Sequence, residues 1–119
     1  MKKILIVTTG GTIDKIYFDD MSDYHIGDPQ IGEILNLMHV GFEFEVKPML
    51  RKDSLHFTEE DRVAIHAEIL ASDATHVLIT HGTDGMVKTA LMLENIPGKT
   101  MVLTGALHPA RFRDSDAVF

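Results

Sequence analysis

Two short stretches of this chain place hydroxyl groups where an apolar run gives way to glycine. Thr8–Ile13 reads Thr-Thr-Gly-Gly-Thr-Ile, so Thr12 follows two glycines whose bare backbone lets a ligand come close. A hydroxyl in that position is a candidate nucleophile, provided that a base takes its proton and donors hold the developing oxyanion. The same stretch also reads as a plain tight turn, or as a loop whose amides cradle a phosphate, because glycine-rich loops are weak signals. Lys15, three residues after Thr12, does not stand at phosphate-loop spacing, which counts against phosphate. The second stretch, His81–Gly85, reads His-Gly-Thr-Asp-Gly. Thr83 and Asp84 stand there at an expected strand-to-helix junction. Either residue suits a helix cap, and the amino end of a helix also favours an alkoxide or carboxylate beside Thr83.

The elements that must position these residues are legible as alternating patterns. Lys3–Thr8 is a short aliphatic run closed by Gly10 and Gly11, as expected of a strand buried on both faces. Phe42–Leu50, His76–Thr80 and Thr100–Thr104 supply three further strands, the last two ending in threonine and turn chemistry. Between them, Asp28 as a cap and Pro29 at the first turn predict a helix over Pro29–His39. Thr58 followed by Glu59, Glu60 and Asp61 predicts a helix ending near Ser72, with Val63, Ala67 and Leu70 on its buried face. A third helix is expected from Asp84 to just before Pro97-Gly98. The order β-α-β-α-β-α-β predicts an α/β fold of three layers, α/β/α, with a mainly parallel sheet in a Rossmann-like, flavodoxin-like order. Ligands bind at the carboxyl ends of strands in such sheets. Thr8–Thr12, Thr80–Asp84 and Thr104–Ala106 should therefore converge on one edge. Ile13–Gly27 is a long polar connection of the kind that forms lids.

Composition narrows the partners. At 119 residues the chain suits one domain. With 45% hydrophobic and 24% charged residues it has ordinary soluble-protein composition, and no apolar run nears the ~20 residues of a membrane-spanning helix. The opening Ile4–Val7 run is too short for a signal peptide. There is no cysteine, which rules out disulfides and thiolate metal sites and is compatible with the cytoplasm. A net charge of -7 with scattered Lys and Arg argues against nucleic acid. The seven histidines form no His-x-x-x-His pair, so no metal is expected.

Taken together, Thr-Gly-Gly-Thr-Ile, His-Gly-Thr-Asp, Leu-Thr-Gly-Ala and the closing Ser-Asp-Ala-Val-Phe resemble the bacterial L-asparaginase and glutaminase family in order and spacing. The resemblance spans residues 1–119 and corresponds to the first part of the family's amino-terminal domain. The smaller carboxyl-terminal domain has no counterpart here. By motif position, Thr12 resembles the nucleophile and Tyr24, in Asp-Tyr-His-Ile-Gly, the lid tyrosine that bonds to it; Tyr17 is the rival in the same loop. Ser54, next to Asp53 in Lys-Asp-Ser, resembles the serine that holds the substrate α-carboxylate. Thr83 and Asp84 resemble the second threonine and the aspartate that takes the α-amino group. Ala106 resembles the alanine whose carbonyl contacts the leaving amide, and Gly11 and Gly82 complete the substrate site.

The implied reaction is attack of a threonine oxygen on the side-chain amide, release of ammonia, and hydrolysis of the acyl-enzyme to aspartate or glutamate. Amides around Gly11 and Thr83 are expected to form the oxyanion site. No cofactor is implied, and the partner is a small amino-acid amide. The family's dimers and tetramers imply a homo-oligomer.

The chain departs from the family pattern at Leu55, where a polar residue is usual, at Gly85, where threonine is usual, and at Asp14, where alanine is common. The family's catalytic lysine falls beyond Phe119, as does the acidic residue lent by a neighbouring subunit. Lys99 should lie at the opposite edge of the sheet and does not replace that lysine. A non-catalytic amino-acid-binding module is the alternative reading. One methylene, worth ~1 to 3 kcal/mol, does not separate asparagine from glutamine.

Overall fold

Strand β1, Ile4–Gly10, is apolar on both faces because it lies inside a sheet with neighbours on either side. A computed structural model describes residues 3–17, 24–27, 29–52, 57–106, 110 and 115–117. β1 is followed by a 3-10 turn at Thr12–Asp14, β2 (Lys15–Tyr17), β3 (Tyr24–Ile26), helix α1 (Ile31–Leu37) and β4 (Phe44–Lys52). Then come α2 (Glu59–Ala71), β5 (His76–Thr80), α3 (Met86–Leu93) and β6 (Thr100–Thr104). The main sheet runs β4-β1-β5-β6 with every neighbouring pair parallel. Counting only these four strands, the first to be made lies between the second and third, which is the expected flavodoxin-like order.

Alternation along β1 sorts the layers. Leu5 and Val7 join Val77, Ile79, Ile65, Ile69, Leu93 and Ile96 in one buried core between the sheet and the α2-α3 layer. Ile4 and Ile6 face the other way, toward α1, whose Gly32 approaches Val46 of β4 and whose Leu35 shares a groove with them. The result is the expected three layers.

Three local expectations change. The buried stripe of α2 is Arg62, Ile65 and Ile69, while Val63 and Leu70 are exposed. This helix carries apolar residues on both sides, so its pattern does not choose a face, and the isoleucines that fit the sheet decide. α1 is shorter than expected and Gln30 caps it without a side-chain bond. Asp28 lies outside the described residues. The Gln30 amide donates instead to Asp14 Oδ1 at 2.9 Å, so a carboxylate from sixteen residues earlier does the work of the local cap. The Ile13–Gly27 connection is not wholly irregular, because β2 and β3 pair in it as an antiparallel ribbon. By contrast α2 begins as its sequence dictates, with a reciprocal capping box between Thr58 and Asp61.

Candidate active site

Three strand ends meet at the carboxyl edge of the sheet, and they meet through backbone. Gly10 and Gly11 have φ of 97° and 85°, a region open to glycine and costly for other residues. A β-carbon added to Gly11 would lie 2.6 Å from Gly82 N and 2.8 Å from Gly82 Cα, so only glycine lets the two bends touch. One at Gly105 would strike the His81 carbonyl oxygen. The His81 amide donates to Thr104 O at 2.8 Å, and the Thr9 hydroxyl donates to Thr80 O at 2.8 Å. This contact keeps the α-carbons of Thr12 and Thr83 within about 12 Å, each lying one ~3.8 Å peptide unit beyond it.

Thr12 and Thr83 each follow one of the two touching glycines. Thr12 opens the 3-10 turn and is half-buried, whereas Thr83 and Asp84 are exposed. Neither Thr83 nor Asp84 caps α3. The cap is Gly85, with φ 80° and no side-chain hydrogen bond. A glycine there is thus no burden on the first helical turn: it occupies a left-handed position that a threonine would fill only with strain. The Gly11 amide is engaged with Lys52 O at 3.0 Å, which removes it from the expected oxyanion site. The Thr83 amide donates to no backbone carbonyl among the described residues.

Beneath the bend lies a buried polar cluster. His81 is fully buried; its Nδ1 stands 2.7 Å from Gly82 O and its Nε2 2.9 Å from Thr89 Oγ1. Arg62 Nε donates to the same hydroxyl at 3.0 Å, and Arg62 Nη2 reaches Gly85 O at 3.5 Å. Phe57 closes the cluster, its ring centroid 4.6 Å from that of His81 and 5.7 Å from Arg62 Cζ. Burial pushes the His81 imidazole below its ordinary pKa, the Gly82 carbonyl opposes that, and the Arg62 charge adds to the lowering. His81 is therefore neutral at pH 7. Two further hydroxyls, Thr8 Oγ1 and Thr80 Oγ1, are buried on paired residues and have no hydrogen-bond partner among the described residues.

The family described as Asparaginase, N-terminal, matches residues 3–119. The chain belongs to the asparaginase family. The thermostable L-asparaginase from Thermococcus kodakarensis is similar over 98% of this chain at 30% identity and a TM-score of 0.81. L-asparaginase I from Vibrio cholerae O1 biovar eltor is similar over 97% at 29% identity and 0.78. A third structure, "Probable Cytoplasmic L-asparaginase" from Campylobacter jejuni, is similar over 99% at 25% identity and 0.72. This chain spans 37% of the length of each of the three.

In this asparaginase domain the junction joins Gly11 to Gly82, the residues that precede Thr12 and Thr83 in sequence, and Ala106 is buried one residue past Gly105. Asp53 and Ser54 lie outside the described residues. Tyr24 opens β3, and its ladder partner is Tyr17, so the two rival tyrosines stand directly opposite each other. Lys99 is at the far edge, as its position before β6 implies, donating to Ser72 O and Ala74 O behind α2. Among the described residues no group of three His, Cys, Asp or Glu is arranged to hold a metal, and no helix is long and apolar enough to cross a membrane. Sequence reasoning missed Arg62, Thr89 and Phe57. A signal existed for Arg62: it precedes Ile65 by three residues and Ile69 by seven, which puts a cation on the buried stripe.

Proposed function

We infer that this domain carries the nucleophilic half of an L-asparaginase, acting on the side-chain amide of asparagine or glutamine. Thr12 Oγ1 attacks the amide carbon, the tetrahedral oxyanion collapses, ammonia leaves, and water hydrolyses the ester to free aspartate or glutamate. Thr83 assists at the nucleophile and Asp84 takes the substrate ammonium. Gly82 and Ala106 line the pocket, Ser54 with Asp53 holds the α-carboxylate, and Tyr24 closes from the ribbon. The observation that supports this most is the glycine-to-glycine contact, which seats two hydroxyl-bearing bends side by side at the binding edge of the sheet. Exposure of Asp84 and release of Thr83 from capping duty leave both side chains turned to a ligand's purposes.

The activity belongs to the longer polypeptide that the relatives represent, a homo-oligomer in our reading. The absence of cysteine and the similarity to the probable cytoplasmic L-asparaginase of Campylobacter jejuni favour the cytoplasm. The test is ammonia release from L-asparagine and L-glutamine by the protein and by Thr12→Ala. We expect release that Thr12→Ala abolishes while its unfolding midpoint stays unchanged. Full activity in Thr12→Ala would remove the nucleophile assignment. The engaged Gly11 amide favours the binding-module alternative, which would appear as micromolar aspartate binding without ammonia from any form.

A further inference from the structure

The Thr89 hydroxyl has one proton and two acceptors within reach, His81 Nε2 at 2.9 Å and Gly85 O at 3.4 Å, and the state of the His81 ring decides which of them takes it. A carbonyl oxygen only accepts, so His81 Nδ1 carries the proton that bridges to Gly82 O. With the ring neutral, Nε2 is then an acceptor, and its only donor in the contact at 2.9 Å is the Thr89 hydroxyl. That hydroxyl oxygen in turn accepts from Arg62 Nε–H, which has no other role available to it. The chain therefore runs one way: Arg62 to Thr89, Thr89 to His81, His81 to the Gly82 carbonyl. The far end of the bend is held by the same groups, since Gly85 O accepts from the Thr89 amide and lies 3.5 Å from Arg62 Nη2. Gly82 and Gly85 flank Thr83 and Asp84, which are exposed and make no cap bond of their own.

We propose that Arg62, Thr89 and His81 form a one-way hydrogen-bond relay that clamps both carbonyl ends of the Thr83–Asp84 bend, making them positioning residues for the substrate's amino group. This rests on the asparaginase reading for its consequence but not for its geometry. A bend flanked by two glycines has few intrinsic restraints, and α3 begins without a side-chain cap, so rigidity has to be supplied from below. Arg62 supplies it because its guanidinium is planar and permanently charged and addresses two acceptors at once. Phe57 covers the ring and the guanidinium, which keeps water from competing for these bonds.

The experiment compares the wild-type protein with Thr89→Val, which keeps the side-chain shape and removes the hydroxyl, and Thr89→Ser, which restores the hydroxyl. Long-range 15N correlation spectra are expected to show His81 protonated at Nδ1 and bare at Nε2 in the wild type. Backbone order parameters at Thr83 and Asp84 are expected near the rigid value of about 0.85, falling below about 0.6 in Thr89→Val and recovering in Thr89→Ser. Aspartate affinity measured by calorimetry should fall about tenfold or more in Thr89→Val and return in Thr89→Ser, the effect of one lost buried hydrogen bond. An Nε2-protonated His81, or a Thr89→Val protein with an unchanged bend, overturns the relay. If the order parameters respond as stated while the wild type takes no aspartate, the clamp stands and the asparaginase reading falls.

Discussion

At the scale of single residues, the site depends on side chains that are absent as much as on those present. A methyl group at Gly11 would need the space of Gly82 N, 2.6 Å away, and would also stand on a backbone with φ 85°. Gly11→Ala is expected to destabilise the fold by more than ~2 kcal/mol, overpacking and left-handed strain acting together, as urea denaturation would measure. A destabilisation under ~0.5 kcal/mol would mean that the bends do not touch. The buried Thr80 hydroxyl, without a hydrogen-bond partner among the described residues, predicts the opposite sign. Thr80→Val keeps the volume and removes a hydroxyl that is desolvated without compensation, so stability should hold or rise by up to ~1 kcal/mol. A clear loss would show that the hydroxyl has a partner in solution. Thr12, Thr83 and Asp84 were visible in the sequence as candidates because hydroxyl and carboxylate types beside glycine announce themselves. Arg62 and Thr89 were not, because their partners lie 27 residues apart and nothing local marks the meeting.

At the scale of elements, strands and helix registers followed from local pattern where one answer dominates. The capping box of α2 is such a case, with Thr58 and Asp61 satisfying each other's amides. The buried face of α2 was not, since Val63 and Leu70 are as apolar as Ile65 and Ile69 and only contact with the sheet separates them. Nor was the start of α1, because its amide is met by Asp14 across the fold rather than by a neighbour. The α2 cap also links to β4 through Lys52 Nζ, 2.9 Å from Asp61 Oδ2. That ammonium is the main reason the Asp61 carboxyl is held below its ordinary pKa; burial works against it and the Thr58 amide with it. With the folded value below the unfolded one, the unfolded chain binds more protons in the interval, so stability falls as pH falls. His81, also lowered, has the same sign and a higher window. Stability should therefore be full above about pH 6.5, decline below it as unfolded His81 takes its proton, and decline again below about pH 4 as Asp61 does. Chemical denaturation across this range tests it, and Asp61→Asn should flatten only the lower step.

At the scale of the molecule, the two faces of the sheet are unequal. The α2-α3 face carries the buried core, whereas the α1 face leaves an apolar groove of about 240 Å³ among Ile4, Ile6, Leu35, Phe42, Leu78 and Val102. β6 is an edge strand, and Val102 is 54% exposed on it. Apolar surface of this kind is costly in water at ~25 cal/mol per Å². The 119-residue chain by itself is expected to self-associate, giving a light-scattering mass above that of one chain, and Val102→Lys should shift it toward the monomer. A monodisperse single chain at high concentration would show the groove to be harmless.

The touching of Gly11 and Gly82 has an evolutionary corollary. A pivot made of peptide groups offers selection nothing to exchange, for any larger residue wedges the two halves apart. Variation must therefore run through the walls around that pivot, while the pivot itself stays fixed.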